Sequence, residues 1–109
     1  MAWTSLCELN DLVDGTGKYV ELDGYYLAVF LHLGKVHVMD NRCPHAGGSM
    51  SAGWIDENNC AVCPWHAWGF DLTTGALKGA ESVKLAIYAS RVLERPGKPA
   101  LVQADLPMP

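Results

Sequence analysis

The sequence has no surplus of basic residues, and this argues against nucleic acid as a partner. Its 12 acidic residues outnumber its 8 lysines and arginines, which gives a formal net charge of -4 at pH 7. Nucleic-acid-binding surfaces are basic because they neutralise phosphates. A protein partner with a basic docking surface suits this charge better, since complementary fields steer two proteins together.

Long apolar runs are also missing. No stretch approaches the roughly 20 apolar residues that a membrane-spanning helix needs. The opening segment Met1–Ser5 has neither the basic start nor the apolar stretch of a secretion signal. The four cysteines therefore suggest metal binding or redox work rather than structural disulfides. We expect no membrane association and a cytoplasmic location.

The length and the composition predict one packed domain. The chain has 109 residues, of which 50% are hydrophobic, and this suits one globular domain and not two. The sequence contains no internal repeat and no low-complexity stretch. We therefore predict a single domain over residues 1–109, and a monomer is the expected oligomeric state.

The apolar pattern predicts an all-β fold. A strand at Lys18–Leu22 ends at the turn signal Asp23-Gly24, and the alternating segment Tyr25–Leu33 follows. A turn at Gly34-Lys35 then returns the chain as the second arm of a hairpin. A short helix is predicted near Leu9–Leu12. The predicted strands are Lys18–Leu22, Tyr25–Leu33, Val36–Met39, Cys60–Val62, Trp68–Leu72, Val83–Val92 and Ala100–Gln103.

Two short cysteine–histidine motifs lie in a region rich in glycine and proline, between about residues 40 and 75. The first is Cys43-Pro44-His45 and the second is Cys63-Pro64-Trp65-His66, with seventeen residues between His45 and Cys63. Each motif places a thiolate and an imidazole close together on a tight loop. These side chains bind transition metals and iron–sulfur clusters. Zinc is an alternative metal, although zinc fingers space their ligands differently.

The pattern C-x-H, seventeen residues, C-x-x-H resembles the signature of Rieske iron–sulfur proteins. The resemblance implies an all-β, Rieske-like antiparallel β-sandwich or barrel, with a two-loop cluster-binding subdomain at about residues 40–75. It also implies one [2Fe-2S] cluster per chain, with Cys43 and Cys63 on one iron and His45 and His66 on the other. Two imidazoles in place of two thiolates raise the reduction potential, because the oxidised centre is then neutral.

The resemblance also indicates a subtype. High-potential relatives link the two loops by a disulfide, and the matching positions here are Gly48 and Trp65, so that bridge is impossible. Those relatives also carry a serine and a tyrosine whose hydroxyls stabilise the reduced sulfurs, where this chain has Trp68 and Phe70. We therefore predict a low-potential Rieske centre. Many relatives cover the cluster with a loop that contains proline, but the corresponding segment Lys78–Ser82 has none.

As a Rieske-type ferredoxin, the chain would carry single electrons from an NAD(P)H-dependent flavoprotein reductase to a terminal oxygenase of the ring-hydroxylating type. These encounters would be transient, and the chain would not be an enzyme on its own. One alternative is a small Rieske subunit of an NAD(P)H nitrite reductase or a related multi-component reductase. Another is a zinc-stabilised interaction module. A catalytic oxygenase subunit is not expected, because it needs a second iron site and only His32 and His37 remain.

The remaining candidate residues are interpreted as packing residues. Cys7 and Cys60 are expected to behave as small hydrophobic side chains, and no role is assigned to His32 or His37. The aromatic residues Trp65, Trp68 and Phe70 are expected to shield the cluster and to pack the second loop.

Overall fold

The structure, a computed structural model, describes residues 3–43, 48–65 and 67–107. Within these ranges the chain forms twelve β-strands and two 3₁₀ helices, Leu9–Asp11 and Met50–Ala52. The strands are β1 Trp3–Glu8, β2 Gly17–Leu22, β3 Tyr25–His32, β4 Lys35–Asp40, β5 Trp54–Ile55, β6 Cys60–Val62, β7 Gly69–Asp71, β8 Ala76–Leu77, β9 Ala80–Lys84, β10 Ile87–Tyr88, β11 Ser90–Arg95 and β12 Lys98–Asp105. The prediction of an all-β fold is confirmed.

The strands form three sheets. The first has the order β1-β12-β11, the central sheet has the order β10-β4-β3-β2, and the third has the order β5-β6-β7-β8-β9. Every pairing between these named strands is antiparallel, as predicted. In the part of the chain that the structure describes, no helix is long and apolar enough to cross a membrane.

Strand β3 lies at the centre of the fold because both of its faces are buried. Leu27 and Val29 belong to a core that the central sheet shares with the first sheet. Ala28 and Phe30, on the opposite face, belong to a second core, shared with the third sheet. All four side chains are 0% exposed. A strand covered on both faces needs an apolar residue at every position rather than at every second one.

The turn that joins β3 to β4 lies one residue earlier than predicted. It is formed by Leu33 and Gly34, which have φ values of 51° and 78°, and Lys35 already pairs with His32. Two successive residues with positive φ give a hairpin turn whose twist matches that of the flanking strands. Leucine is uncommon in this conformation, and for this reason the sequence pattern assigned Leu33 to the strand.

The predicted strand Val83–Val92 is wrong, because this segment contributes to three different sheets. It contains the end of β9 in the third sheet, all of β10 in the central sheet and the start of β11 in the first sheet. The N–H of Leu85 donates to the carbonyl of Gly75 at 2.8 Å, and here the chain leaves the third sheet. Hydrogen bonds to distant segments of the chain therefore determine where each of these strands ends. No glycine or proline marks them in the sequence.

Candidate metal centre

Two of the predicted ligands, Cys43 and Cys63, lie side by side in the interior. Both belong to the core between the central and third sheets, and they are 1% and 0% exposed. Cys43 is close enough to Cys63 to affect the pKa of its thiol. Burial raises the pKa of the Cys63 thiol, a hydrogen bond from the backbone N–H of Trp65 opposes this rise, and the neighbouring Cys43 adds to it. The fold therefore brings together two sulfurs from separate loops.

The first loop, between β4 and the helix Met50–Ala52, is closed at its base by backbone hydrogen bonds. The N–H of Cys43 donates to the carbonyl of Gly48 at 2.9 Å, and the N–H of Met50 donates to the carbonyl of Asn41 at 2.6 Å. These bonds hold Cys43 just beyond the end of β4, at a short distance from the rigid central sheet.

The second loop is the tip of the hairpin formed by β6 and β7. Val62 pairs with Gly69 at the end of this hairpin, and the N–H of Cys63 donates to the carbonyl of Trp68 at 2.9 Å. Ala67 has a φ of 56°, a left-handed conformation that lets the chain reverse direction within the loop. The hairpin thus carries Cys63 toward Cys43.

The two loops touch at Gly48. A Cβ atom on Gly48 would lie 3.0 Å from the Sγ of Cys63 and 3.0 Å from both the Cδ1 and the Cγ of Trp65. The residue must therefore be glycine if both neighbours are to keep their places. Gly48 and Trp65 are also the positions at which high-potential relatives would carry the disulfide, and in this chain an indole packed on a glycine occupies that place.

The other two predicted ligands, His45 and His66, lie outside the described residues, so their assignment stays a prediction. Among the residues that are described, no group of three or more histidine, cysteine, aspartate or glutamate side chains is placed to hold a metal ion. Cys43 and Cys63 are two buried thiols, with an amide N–H directed at one sulfur and a glycine beside it. These features fit the cysteine half of a Rieske donor set.

The other cysteines behave as the packing interpretation predicts only in part. Cys60 is 4% exposed, and burial raises the pKa of its thiol. Its N–H donates to the carboxylate of Asp56 at 3.0 Å, so its backbone is part of the β5–β6 turn. Cys7 on β1 is only partly buried.

The two histidines of the β3–β4 hairpin, His32 and His37, differ in their surroundings. The Nε2 of His32 lies 3.0 Å from the Oδ1 of Asn59. His37 is half-buried, and burial lowers the pKa of its imidazole.

The aromatic residues of the second loop differ in exposure. Phe70 is fully buried in the same core as the two cysteines and Trp68 packs against that core, whereas Trp65 is 57% exposed. The segment that replaces the proline-containing cover lies next to this loop. Residues of Lys78–Ser82 line a cleft of about 420 Å³ together with Ala67 and Trp68.

Sequence reasoning missed a group of polar residues at the base of the first loop. Asn41, Ser49 and Ser51 form a hydrogen-bonded cluster there. The only signal in the sequence was the position of these residues on either side of the first motif, and polar residues in a loop are usually solvated.

Comparison with known proteins identifies the fold and its cofactor. A family model described as the Rieske [2Fe-2S] domain matches residues 2–89. This chain belongs to the Rieske [2Fe-2S] domain family. Its cofactor is a Rieske-type [2Fe-2S] cluster, and the sequence resemblance and the implied fold are confirmed.

Several relatives of this Rieske chain are ferredoxins or small subunits. It is 33% identical over 75 residues to the ferredoxin subunit of 3-phenylpropionate/cinnamic acid dioxygenase from Photorhabdus laumondii, an alignment that covers 69% of this chain and 70% of that one. It also resembles the ferredoxin of Sphingomonas yanoikuyae B1, with a TM-score of 0.77, 28% identity and coverage of 97% and 100%. A similar structure is that of a candidate NADH-dependent nitrite reductase small subunit from Mycobacterium tuberculosis, with a TM-score of 0.80, 29% identity and coverage of 98% and 97%.

Other relatives are much longer than this Rieske chain. The chain spans 15% of the length of the cholesterol 7-desaturase from Ciona intestinalis that it matches at 40% identity over 70 residues. The relatives of this Rieske chain therefore include ferredoxin components of similar length as well as much longer proteins.

Proposed function

We propose that this chain is a Rieske-type ferredoxin that carries single electrons from an NAD(P)H-dependent flavoprotein reductase to a terminal oxygenase of the ring-hydroxylating type. Cys43 and Cys63 bind one iron of its [2Fe-2S] cluster, and His45 and His66 bind the other. The chain acts as one domain over residues 1–109 and as a monomer. We place it in the cytoplasm, where free thiols such as those of Cys7 and Cys60 stay reduced.

The burial of Cys43 and Cys63 in one core, with the Sγ of Cys63 beside Gly48 of the first loop, is the observation that supports the cysteine half of this ligand set. When bound, the cluster supplies a centre that takes up and releases one electron at a time. The protein buries both sulfurs away from water and directs the N–H of Trp65 at one of them. Such hydrogen bonds and the exclusion of solvent are means by which a protein tunes an iron–sulfur centre.

The dioxygenase ferredoxin subunit of Photorhabdus laumondii supports an oxygenase as the electron acceptor. The excess of acidic residues supports docking to a basic surface. Electron carriers form small and transient interfaces, so we expect no stable complex with the oxygenase. A small subunit of an NAD(P)H nitrite reductase is the second candidate function. It is supported by the similar structure from Mycobacterium tuberculosis, which is that of a candidate NADH-dependent nitrite reductase small subunit.

Affinity purification of the tagged chain from its native host separates these two functions. We expect the chain to elute alone and coloured at physiological salt. Once reduced by NADH and a flavoprotein ferredoxin reductase, it should transfer its electron to a ring-hydroxylating oxygenase component. Stable co-elution with a nitrite reductase large subunit would replace the first function with the second. A colourless protein that contains zinc and no iron would overturn both.

The midpoint potential of the cluster should lie toward the lower end of the Rieske range of roughly -150 to +300 mV. Phe70 is fully buried in the core with Cys43 and Cys63 and has no hydroxyl to offer a sulfur. A redox titration followed by visible absorption measures this potential, and a value above about +150 mV would contradict the argument. As a matched variant, Phe70→Tyr adds the hydroxyl that high-potential relatives carry, and it should raise the midpoint.

A further inference from the structure

Asn41 ties together the two ends of the first loop. Its Nδ2 donates to the Oγ of Ser49 at 3.0 Å, and its Oδ1 accepts a hydrogen bond from the N–H of Ser51 at 2.8 Å. The hydroxyls of Ser49 and Ser51 lie 3.0 Å apart and complete the cluster. One side chain therefore joins the residue that follows β4 to the segment that returns after the loop.

The backbone of Asn41 is held just as firmly. Its N–H donates to the carbonyl of Tyr26 on β3 at 2.8 Å, and its carbonyl accepts from the N–H of Met50 at 2.6 Å. The backbone of Gly17 on β2 packs closely against Ser51, since a Cβ on Gly17 would lie 2.8 Å from the carbonyl oxygen of Ser51. Both anchors belong to the central sheet, so the Asn41 cluster connects the loop to the most buried part of the fold.

Position in the chain links this cluster to the metal centre. Cys43 follows Asn41 by two residues, and Gly48 immediately precedes Ser49. The bond from Cys43 N–H to the Gly48 carbonyl lies just beyond the cluster. A change in the separation of Asn41 from Ser49 would therefore move the Sγ of Cys43 and the glycine that contacts Cys63 and Trp65. A primary amide suits this position because it donates and accepts at the same time.

We propose that Asn41 is a positioning residue that sets the placement of the Cys43 sulfur in the cluster site. The proposal rests on the ligand set given under Proposed function. In this role Asn41 does not touch the cluster. It acts through the ends of the first loop, and partners that orient a metal ligand in this way commonly control how tightly the metal is held.

The test compares the Asn41→Ala and Gln103→Ala variants of the cluster-loaded protein. Gln103 is a suitable control because its amide also donates to a serine, Ser5 at 3.0 Å, and accepts a hydrogen bond, from Arg91 at 2.8 Å. It lies on β12 in the first sheet, away from both loops. The rate of iron loss to a chelator should rise about 10–100-fold in Asn41→Ala. In Gln103→Ala it should stay close to the wild-type rate.

The Asn41→Asp variant supplies a second readout. A carboxylate can still accept from the N–H of Ser51 and from the hydroxyl of Ser49, which already lies 3.3 Å from the Oδ1 of Asn41. Iron retention should therefore return toward the wild-type value. The electron paramagnetic resonance spectrum of the reduced protein should be broadened in Asn41→Ala and sharp again in Asn41→Asp. The added negative charge should at the same time lower the midpoint potential.

Equal rates of iron loss in wild type, Asn41→Ala and Gln103→Ala would overturn the positioning role and leave the proposed ligand set intact. Equally rapid loss in Asn41→Ala and Gln103→Ala would also overturn it, since a general loss of stability would then be the cause. If the wild-type protein holds no iron and no acid-labile sulfide, the proposed function fails. These outcomes are distinguishable in one set of preparations.

Discussion

Replacement of Cys43 by alanine is expected to leave the purified protein colourless, with little iron and little acid-labile sulfide. The thiolate of Cys43 is one of two sulfur ligands that we propose for a single iron, and its side chain is only 1% exposed. The methyl group of alanine has no donor atom that could replace the thiolate. The loss of iron should be at least as large as the roughly 10–100-fold effect of removing an outer partner of a metal ligand. Visible absorption and analysis of iron and sulfide per chain measure it.

Cys60→Ala is the matched control for this variant. Cys60 is 4% exposed and lies on β6, three positions before Cys63, so its replacement also removes one sulfur from the interior. We expect a loss of roughly 1 kcal/mol in stability from the missing apolar volume and a fully coloured protein. A colourless Cys60→Ala protein beside a coloured Cys43→Ala protein would refute the ligand assignment, because Cys60 would then be the ligand.

Replacement of Gly75 by alanine should cause the largest loss of stability among the described glycines that have positive φ. A Cβ on Gly75 would lie 2.0 Å from the carbonyl oxygen of Leu85 and 2.9 Å from the Cγ1 of Ile87. The oxygen belongs to the backbone, so it cannot move without displacing the link between the third and central sheets. Gly75 also has a φ of 77°, which alanine adopts only at a cost. Overpacking and strain together should cost about 2–5 kcal/mol.

Gly79→Ala isolates the steric part of this effect. Gly79 has a similar φ of 91°, but a Cβ there would meet nothing within 4 Å. Its replacement should cost about 1 kcal/mol, from backbone strain alone. In thermal unfolding of the cluster-loaded protein, Gly75→Ala should lower Tm by roughly 10 °C or more and Gly79→Ala by roughly 5 °C. Equal shifts for the two variants would show that the contact with Leu85 does not matter.

The predicted strands show how far the apolar pattern predicts this fold. The strands Lys18–Leu22 and Cys60–Val62 were placed within β2 and β6, because alternation and turn signals are local properties of the chain. The boundary at Leu33 was missed, since a leucine with positive φ carries no signal. The segment Val83–Val92 was missed for a different reason: its division among three sheets depends on partners elsewhere, such as the Gly75 carbonyl.

The candidate site also has features that the sequence predicts and features that only the fold reveals. The spacing of the two motifs indicated the Rieske family and the identity of the four expected ligands, because the ligand types and the loop lengths can be read directly from the sequence. Sequence reasoning also indicated that Gly48 and Trp65 could not form a disulfide. It could not show that the Trp65 ring packs where a Gly48 side chain would be, since close approach is a property of the folded backbone.

By itself, the sequence determined the family, the cofactor and the β-rich character of this protein, because each depends on residue types at short and fixed spacings. Only the tertiary structure decided that Cys43 and Cys63 are buried in one core, that β3 is covered on both faces, and that Asn41 closes the first loop. These contacts join segments that are apart in the sequence. Their geometry follows from how three sheets pack around two cores, which no local pattern specifies.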